Sequence, residues 1–472
     1  MSQVSGYFSE DTITAIASPA GGAIAIIRLS GPRSSEILDR ITRSHLSSES
    51  EPRKMIRAPL YLPSGQPLDD ALMVRFVQPH SYTGEDLIEF HIHGNPYIAQ
   101  KLLEILTANG ARQALPGEFS FRAVKNGKMN LFQAQAVADL ISASNENAIS
   151  LALDKMSGAQ TQFIQLLSEK LRRMAVLGEL GIDFADQDVD ELSLDRLKGQ
   201  LQPILQLLSK LKDSFNRGYH LQEGVGIALV GLPNAGKSSF FNALLGEDRS
   251  IVSDIAGTTR DVIREKLTIR GKYSTLTLRL EDTAGLRKTD NPIEKIGIQR
   301  TLQACEKADL ILFIVDPTLQ TDLIHEQWKE LHRIAPVDLA EKTIGILTKS
   351  DCSPSSDLKK TQCFLQEKLR IKTCVSTSAV QSEGMSDAIE AIIQFSEKWT
   401  QRAPGEVLLT RIDHYHAVSE ATHHLQRALE VEELDLFASD IRQTLNSLGP
   451  LIGQTLPDDI LGKIFSDFCI GK

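Results

Sequence analysis

The chain has 472 residues, too long for one ordinary core, and at about 150 residues per domain it should hold about three domains. Its 42% hydrophobic and 24% charged residues are ordinary for a globular protein, and its formal charge of −10 excludes a broadly basic surface that grips nucleic-acid phosphates, so any such role needs a local patch or a partner. Five cysteines with no CxxC pair point to free thiols in a reducing compartment. There is no signal-peptide pattern and no apolar run of membrane-spanning length, so a cytoplasmic protein with no membrane association is expected.

In chain order, 12–17 reads as a strand, Pro19-Ala20-Gly21-Gly22 as a turn and 24–29 as a second strand closed by Gly31-Pro32. Arg53-Lys54-Met55-Ile56-Arg57 reads as a solvated basic run. Strand-like runs follow at 71–77 and 87–92, with a helix over 98–107; residues 1–128 form an α+β domain. His91-Ile92-His93 has the spacing of a metal pair on a strand, but no further ligands cluster, so a structural role is preferred. Gly and Pro then become rare. Leu131, Ala134, Val137, Ala138 and Ile141 share one helical face, as do Leu201, Ile204, Leu205, Leu208 and Leu211, so 129–223 is helical, with the acidic stretch 183–190 joining helices. Arg172-Arg173 reads as solvated helix surface.

From 224 to 396 strands (226–230, 276–281, 310–315, 343–347, 373–375) alternate with helices, which implies a parallel sheet covered on both faces. Residues 397–472 are helical again, over 417–429 and 432–448. Two helical stretches flanking an α/β unit suggest one helical domain with a nucleotide-binding domain inserted into it.

Gly231-Leu232-Pro233-Asn234-Ala235-Gly236-Lys237-Ser238 satisfies GxxxxGK[ST] directly after an apolar strand and before a helix, the context a phosphate loop requires. Its glycines let backbone N–H groups wrap a phosphate, Lys237 should reach the β- and γ-phosphates, and Ser238 should ligate Mg²⁺. Asp282-Thr283-Ala284-Gly285 ends a later strand, where an Asp can hold Mg²⁺ through water and a Gly N–H can meet the γ-phosphate. Between them lies Gly257-Thr258-Thr259-Arg260-Asp261, with a threonine to complete the Mg²⁺ shell.

Base choice falls to Thr348-Lys349-Ser350-Asp351, whose Asp accepts from guanine N1–H and the exocyclic amine. The usual motif begins with Asn. Thr348 loses an amide contact there, so guanine preference with weaker affinity is expected. Ser378-Ala379 fits the loop that closes over the base. Leu286 stands where Ras-like enzymes carry a water-orienting glutamine, so another polar group and another cation must serve.

With these residues assembled, the chain resembles the MnmE-type (TrmE-type) tRNA modification GTPase family nearly end to end. The resemblance rests on Asp11-Thr12-Ile13, Ile27-Arg28-Leu29-Ser30-Gly31, Tyr82-Thr83-Gly84-Glu85-Asp86, Pro116-Gly117-Glu118-Phe119, the phosphate loop, Asp254-Ile255-Ala256-Gly257-Thr258-Thr259-Arg260-Asp261 and the terminal Phe468-Cys469-Ile470-Gly471-Lys472. It implies an N-terminal domain that binds a tetrahydrofolate derivative (5-formyl- or methylene-tetrahydrofolate) and dimerises, a helical domain, and an inserted Ras-like P-loop α/β G domain. Arg28, Glu89, Lys128 and Lys472 match the folate-contacting positions; Glu89 can pair with the pterin's amino-imino edge, and the cations suit carboxylates.

The same resemblance places K⁺ at Asn234, Ser253, Ile255 and Thr258, in the role of an arginine finger, and Mg²⁺ at Ser238 and Thr259. Glu294 takes the water-orienting role, with Lys237 and Thr259 the other catalytic groups. The implied GTP set is Asn234, Ala235, Gly236, Lys237, Ser238, Ser239, Ser253, Asp254, Ile255, Ala256, Gly257, Thr258, Thr259, Asp282, Thr283, Ala284, Gly285, Thr348, Lys349, Asp351, Ser378 and Ala379. The implied assembly is a homodimer, its G domains meeting across the K⁺ sites, in a heterotetramer with the flavoprotein MnmG (GidA). That assembly builds an aminomethyl or carboxymethylaminomethyl group on C5 of the wobble uridine of certain tRNAs, with methylenetetrahydrofolate supplying the carbon.

For Cys469 both a role near the folate and a buried structural thiol stay open. Two features depart from the family: Thr348, and a turn at Pro19-Ala20-Gly21-Gly22 that is shorter than usual and lacks its second proline. A ribosome-assembly GTPase would show a basic RNA-binding module, and none is visible. A scaffold with a degenerate site would not retain Lys237, Ser238, Thr259, Asp282 and Glu294.

Overall fold

The alternating apolar residues after Asp11 form a hairpin: β1 (Ile13–Ile16) pairs antiparallel with β2 (Ile24–Ser30), as the sequence suggests. The computed structural model of the chain describes residues 7, 9–183, 193–246, 266–272, 275–280, 304–334, 339–403, 405–452, 465, 468 and 471. The chain divides into two compact units, one of Met1–Ile141, Leu153–Leu205 and Ala417–Lys472, the other of Ser142–Ala152 and Gln206–His416.

In the first unit, β3 (Met55–Tyr61), β4 (Pro67–Phe76), β5 (Leu87–His93) and β6 (Arg112–Gln113) complete a six-stranded sheet of order β3-β4-β5-β2-β1-β6, antiparallel except for β1–β6. The basic run 53–57 thus opens an edge strand, where Arg57 pairs with Asp70 on the surface. Period-two alternation sends Ala25, Ile27, Leu29, Met73, Phe90 and Ile92 into a core against helices Ser34–Thr42 and Pro96–Ala108. The second helix starts where the sequence dictates: Asn95 Oδ1 accepts from Tyr97 N–H at 2.8 Å, and Pro96 occupies the first turn. The opposite sheet face carries Arg28, directly across from Glu89 in the β2–β5 register.

The remainder of this unit is helical. Helix Leu194–Asp213, divided between the two units after Leu205, buries Leu201, Ile204, Leu208 and Leu211 of the expected stripe and Leu197 beside them, while Leu205 is half-buried. Helix Leu131–Ser142 departs from expectation: Ile141 is exposed and Asp139 is buried. The reason is Lys155 on helix Glu146–Met156, whose Nζ lies 2.6 Å from Asp139 and lets a carboxylate take an inward position. Helix Leu434–Leu448 runs along helix Ala159–Asp183. The acidic stretch expected to join helices falls largely outside the described residues.

In the second unit, β7 (Val225–Val230), β8 (Lys266–Arg270), β9 (Thr275–Leu280), β10 (Leu310–Val315), β11 (Thr343–Leu347) and β12 (Thr373–Ser376) form a sheet of order β12-β11-β10-β7-β9-β8. It is parallel except at one edge, where β8 runs antiparallel to β9, so the expected all-parallel sheet is mixed. Leu310, Leu312 and Ile314 of β10 face helices Lys237–Leu245 and Met385–Thr400, while Ile311, Phe313 and Val315 face the side of helices Thr321–Ile334 and Ser355–Glu367. A strand apolar at every position is one buried on both faces. Among the described residues, no helix is long and apolar enough to cross a membrane.

Candidate functional site

The glycine-rich turn after β7 delivers the chain into helix Lys237–Leu245 through two left-handed residues, Asn234 (φ 61°) and Gly236 (φ 94°). Gly236 adopts that conformation without strain because it has no Cβ. The helix then begins at Lys237, and the N–H groups of its first turn, including those of Lys237, Ser238 and Ser239, have no partner within the helix. That terminus, with its partial positive charge, is built to face an anion. Ser238, Ser239 and Asn234 are exposed. Lys237 Nζ folds back on the loop, donating to Gly231 O (2.8 Å) and Leu232 O (2.9 Å), and burial lowers its pKa from the usual lysine value.

Thr348, Lys349, Ser350 and Asp351 follow β11 and lie beside this loop. Thr348 Oγ1 donates to Ala235 O at 2.6 Å, and Lys349 Nζ is 2.6 Å from Asp316 at the end of β10. Burial would raise the Asp316 carboxyl, but hydrogen bonds from Lys349 and Thr318 bring it below the usual range. Ser350 N–H donates to Thr377 O (3.2 Å), joining this loop to Ser378-Ala379 after β12. Asp351 accepts from the Cys352 thiol (3.0 Å) and the Ser378 hydroxyl, which hold its carboxyl below the usual range. An ionised, acceptor-only carboxylate is what a guanine edge with two adjacent donors requires.

Thus the structure brings together the phosphate loop (Asn234, Ala235, Gly236, Lys237, Ser238, Ser239) and the base loops (Thr348, Lys349, Asp351, Ser378, Ala379), at the C-terminal ends of parallel strands, where ligands of such sheets bind. Ser253, Asp254, Ile255, Ala256, Gly257, Thr258, Thr259, Asp282, Thr283, Ala284, Gly285, Leu286 and Glu294 lie outside the described residues. Asp316 was missed from sequence; its position one residue past a buried strand, opposite the base loop, was the available signal.

A second cluster lies on the open face of the first unit's sheet. Arg28 Nε is 2.8 Å from Glu89 Oε1, its guanidinium sits over the Tyr82 ring at 5.4 Å, and Glu89 Oε2 is 3.6 Å from His91 Nε2. The second His of the HxH pair, His93, is held by Asp69 at 2.7 Å. Lys128 is exposed, its stem against Gly84 in the Tyr82–Asp86 loop. The C-terminal tail reaches the same place: Gly471 O is 3.5 Å from Arg28 Nη1. Lys472 and Cys469 are outside the described residues. Tyr82 and Gly471 stood in quoted motifs but had no assigned role.

Those motifs also build the support beneath the cluster. Arg122, 2% exposed, bonds Asp11 (2.8 Å), Glu85 (3.1 Å) and the fully buried Glu118 (3.0 Å). Arg112 bonds Asp11 (2.7 Å) and Glu118 (2.6 Å). Burial would raise the Asp11 carboxyl, but Arg112, Ser9 and Arg122 bring it down to about 2. The cysteines among the described residues, Cys305, Cys352, Cys363 and Cys374, are free thiols.

Comparison with known proteins bears on both clusters. A family model described as the MnmE helical domain matches residues 131–469, and one described as the GTP-binding protein TrmE N-terminus matches residues 12–128. The tRNA modification GTPase MnmE of Protochlamydia amoebophila is 37% identical over 99% of this chain and 98% of its own length. The protein of that name from Aquifex aeolicus is 37% identical over 98% of this chain and 100% of its own. That from Thermotoga maritima is 36% identical over 98% and 100%.

Proposed function

The chain belongs to the MnmE (TrmE) family of tRNA modification GTPases, and from that premise we propose that it hydrolyses GTP to drive modification of the wobble uridine of certain tRNAs. The observation that carries the GTP reading is the joining of the phosphate loop to the Asp351 loop through Thr348 and Ala235. In this reading the first-turn N–H groups and Lys237 hold the phosphates, and Asp351 reads guanine.

Mg²⁺ and K⁺ would supply charge neutralisation at the phosphates. Ser238, exposed on the helix's first turn, and Asn234, exposed and left-handed in the loop, fit as ligands. Thr259 would join Ser238 at Mg²⁺; Ser253, Ile255 and Thr258 would join Asn234 at K⁺; Glu294 would orient water in the role of the glutamine whose position Leu286 occupies. Ser253, Asp254, Ile255, Ala256, Gly257, Thr258, Thr259, Asp282, Thr283, Ala284 and Gly285 would complete the nucleotide shell.

The proposal continues to the second cluster. A methylene- or formyl-tetrahydrofolate would supply the one-carbon unit. The Arg28–Glu89 pair offers an acceptor for a pterin's donor edge and a guanidinium for carboxylates, and Lys128 and Lys472 would add charge. The product would be the aminomethyl or carboxymethylaminomethyl group on uridine C5, made with the flavoprotein MnmG in a heterotetramer. A homodimer through the N-terminal sheet is supported by its exposed apolar residues Ile24 (61%), Met55 (48%) and Leu72 (40%). The domain arrangement is 1–128, 129–223, 224–396 inserted and 397–472. It is supported by the helical-domain match, whose limits, 131 and 469, enclose the phosphate-loop sheet. Its site of action would be the cytoplasm.

The test is GTP hydrolysis at varied protein concentration in K⁺ and in Na⁺. Faster turnover in K⁺, rising with concentration, is expected; equal rates in the two salts would remove the K⁺ assignment.

A further inference from the structure

The fold treats the two histidines of the HxH pair differently. His93 has a partner, Asp69, at 2.7 Å. His91 Nε2 is buried and has no hydrogen-bond partner among the described residues. Its cross-strand neighbours are Ile26 on β2 and Leu72 on β4, whose side chains have no polar atom to offer. A buried polar atom left in this way is a cost that a bound ligand can relieve.

Glu89 Oε2 lies 3.6 Å from His91 Nε2, beyond hydrogen-bond range. Glu89 Oε1 accepts from Arg28 Nε–H at 2.8 Å, and Oε2 has no hydrogen bond among the described residues. A ring nitrogen that faces the oxygen of an acid carries its hydrogen, because a bare lone pair there would be repelled. The open face of the sheet therefore presents two acceptors and a donor in order: Oε1, Oε2 and Nε2–H. The side chains of Arg28, Glu89 and His91 are all less than a quarter exposed, at 23%, 18% and 21%, so a hydrogen bond made there is partly shielded from water.

The complement of that order is donor, donor, acceptor. A 2-amino-4-oxo pterin carries it along one edge, as the exocyclic amine, N3–H and the C4 carbonyl. We propose that His91 is a specificity-determining residue of this cluster, its Nε2–H donating to the C4 carbonyl of a pterin whose amine and N3–H are taken by Glu89. It rests on the tetrahydrofolate reading above and deepens it. A ring with an amine at C4 has a bare N3 and sets its NH₂ against the histidine N–H, leaving polar groups on both sides unpaired. A site that leaves polar groups unpaired rejects an analogue more strongly than one that merely fits it poorly.

The test is calorimetric titration with 5-formyltetrahydrofolate and with its counterpart carrying an amine at C4. The unsubstituted protein should prefer the 4-oxo ligand at least about tenfold. His91→Phe keeps a flat ring and removes the donor. It should weaken the 4-oxo ligand about five- to thirty-fold, the effect of one unpaired buried acceptor, and leave the 4-amino ligand within about threefold. His91→Gln keeps a donor in its amide and should bind the 4-oxo ligand within about threefold of the unsubstituted protein. The melting temperature of each ligand-free protein is measured beside these constants. The proposal is overturned if His91→Phe keeps the full preference for the 4-oxo ligand, whatever its melting temperature, or if His91→Gln binds that ligand as weakly as His91→Phe. Glu89→Gln, measured in parallel, should weaken both ligands. Unchanged affinity in that variant, or an unsubstituted protein that binds neither ligand, would overturn the tetrahydrofolate reading itself, and the proposal with it.

Discussion

Gly117 is where the C-terminal tail meets the N-terminal fold, and replacing it by alanine isolates that contact. Its φ is 65°, at the start of helix Glu118–Lys125, and an added Cβ would stand 2.7 Å from Phe465 O and 2.8 Å from Phe468 Cβ. A left-handed alanine costs about 1–2 kcal/mol, and relieving the overlap costs about 1–3 more. Among the tail's described residues, Phe465 (fully buried) and Phe468 (6% exposed) pack with Phe121 and Tyr7. Burying two such rings contributes about 3–6 kcal/mol. The perturbation is therefore comparable to what these two rings contribute, and Gly117→Ala should loosen the tail's docking. Because Gly471 lies beside Arg28, the tetrahydrofolate affinity proposed for that cluster should fall at least about tenfold, in line with the loss of about 1.4 kcal/mol or more. Hydrogen exchange at the C-terminal peptide reads the docking directly, and calorimetric titration reads the affinity. A tail as well protected in Gly117→Ala as in the parent would refute the reasoning.

The ion cluster beneath that site gives two further expectations. Glu118→Gln removes a fully buried carboxylate shared by Arg112 and Arg122 and should cost about 3–5 kcal/mol, read by urea unfolding with an unchanged m value. Asp11 is depressed from an ordinary 3.8 to about 2, so its stabilisation is complete above about pH 4 and is lost as pH falls toward 2. Melting temperatures from pH 5 to pH 2 should fall less steeply in Asp11→Asn than in the parent. Gly236→Ala combines a φ of 94° with crowding against Thr348 and should abolish nucleotide binding, at least about a hundredfold; a GDP titration that saturates normally would contradict this.

Local pattern carried most of the fold into view. β10 is apolar at every position and is buried on both faces; helix Leu194–Asp213 buries Leu201, Ile204, Leu208 and Leu211 of its predicted stripe; the phosphate loop sits between its strand and helix. Long-range pairing was not legible. Asp139 looks like a solvated helix residue until Lys155 folds against it, and nothing local distinguishes β8 as an antiparallel edge. Asp11, Glu85 and Glu118 are recognisable as motif residues, yet only folding shows that Arg112 and Arg122 hold them together. Thr348 reads as a loss in the sequence because the hydroxyl's partner, Ala235, lies 113 positions away.

Wobble-uridine nucleosides from cells lacking this protein, analysed by mass spectrometry, test the central claim most directly. The account predicts that the C5 aminomethyl or carboxymethylaminomethyl group disappears, that the unsubstituted protein restores it, and that Lys237→Ala, stripped of the ammonium at its phosphate loop, does not. A normal nucleoside profile in those cells would contradict it.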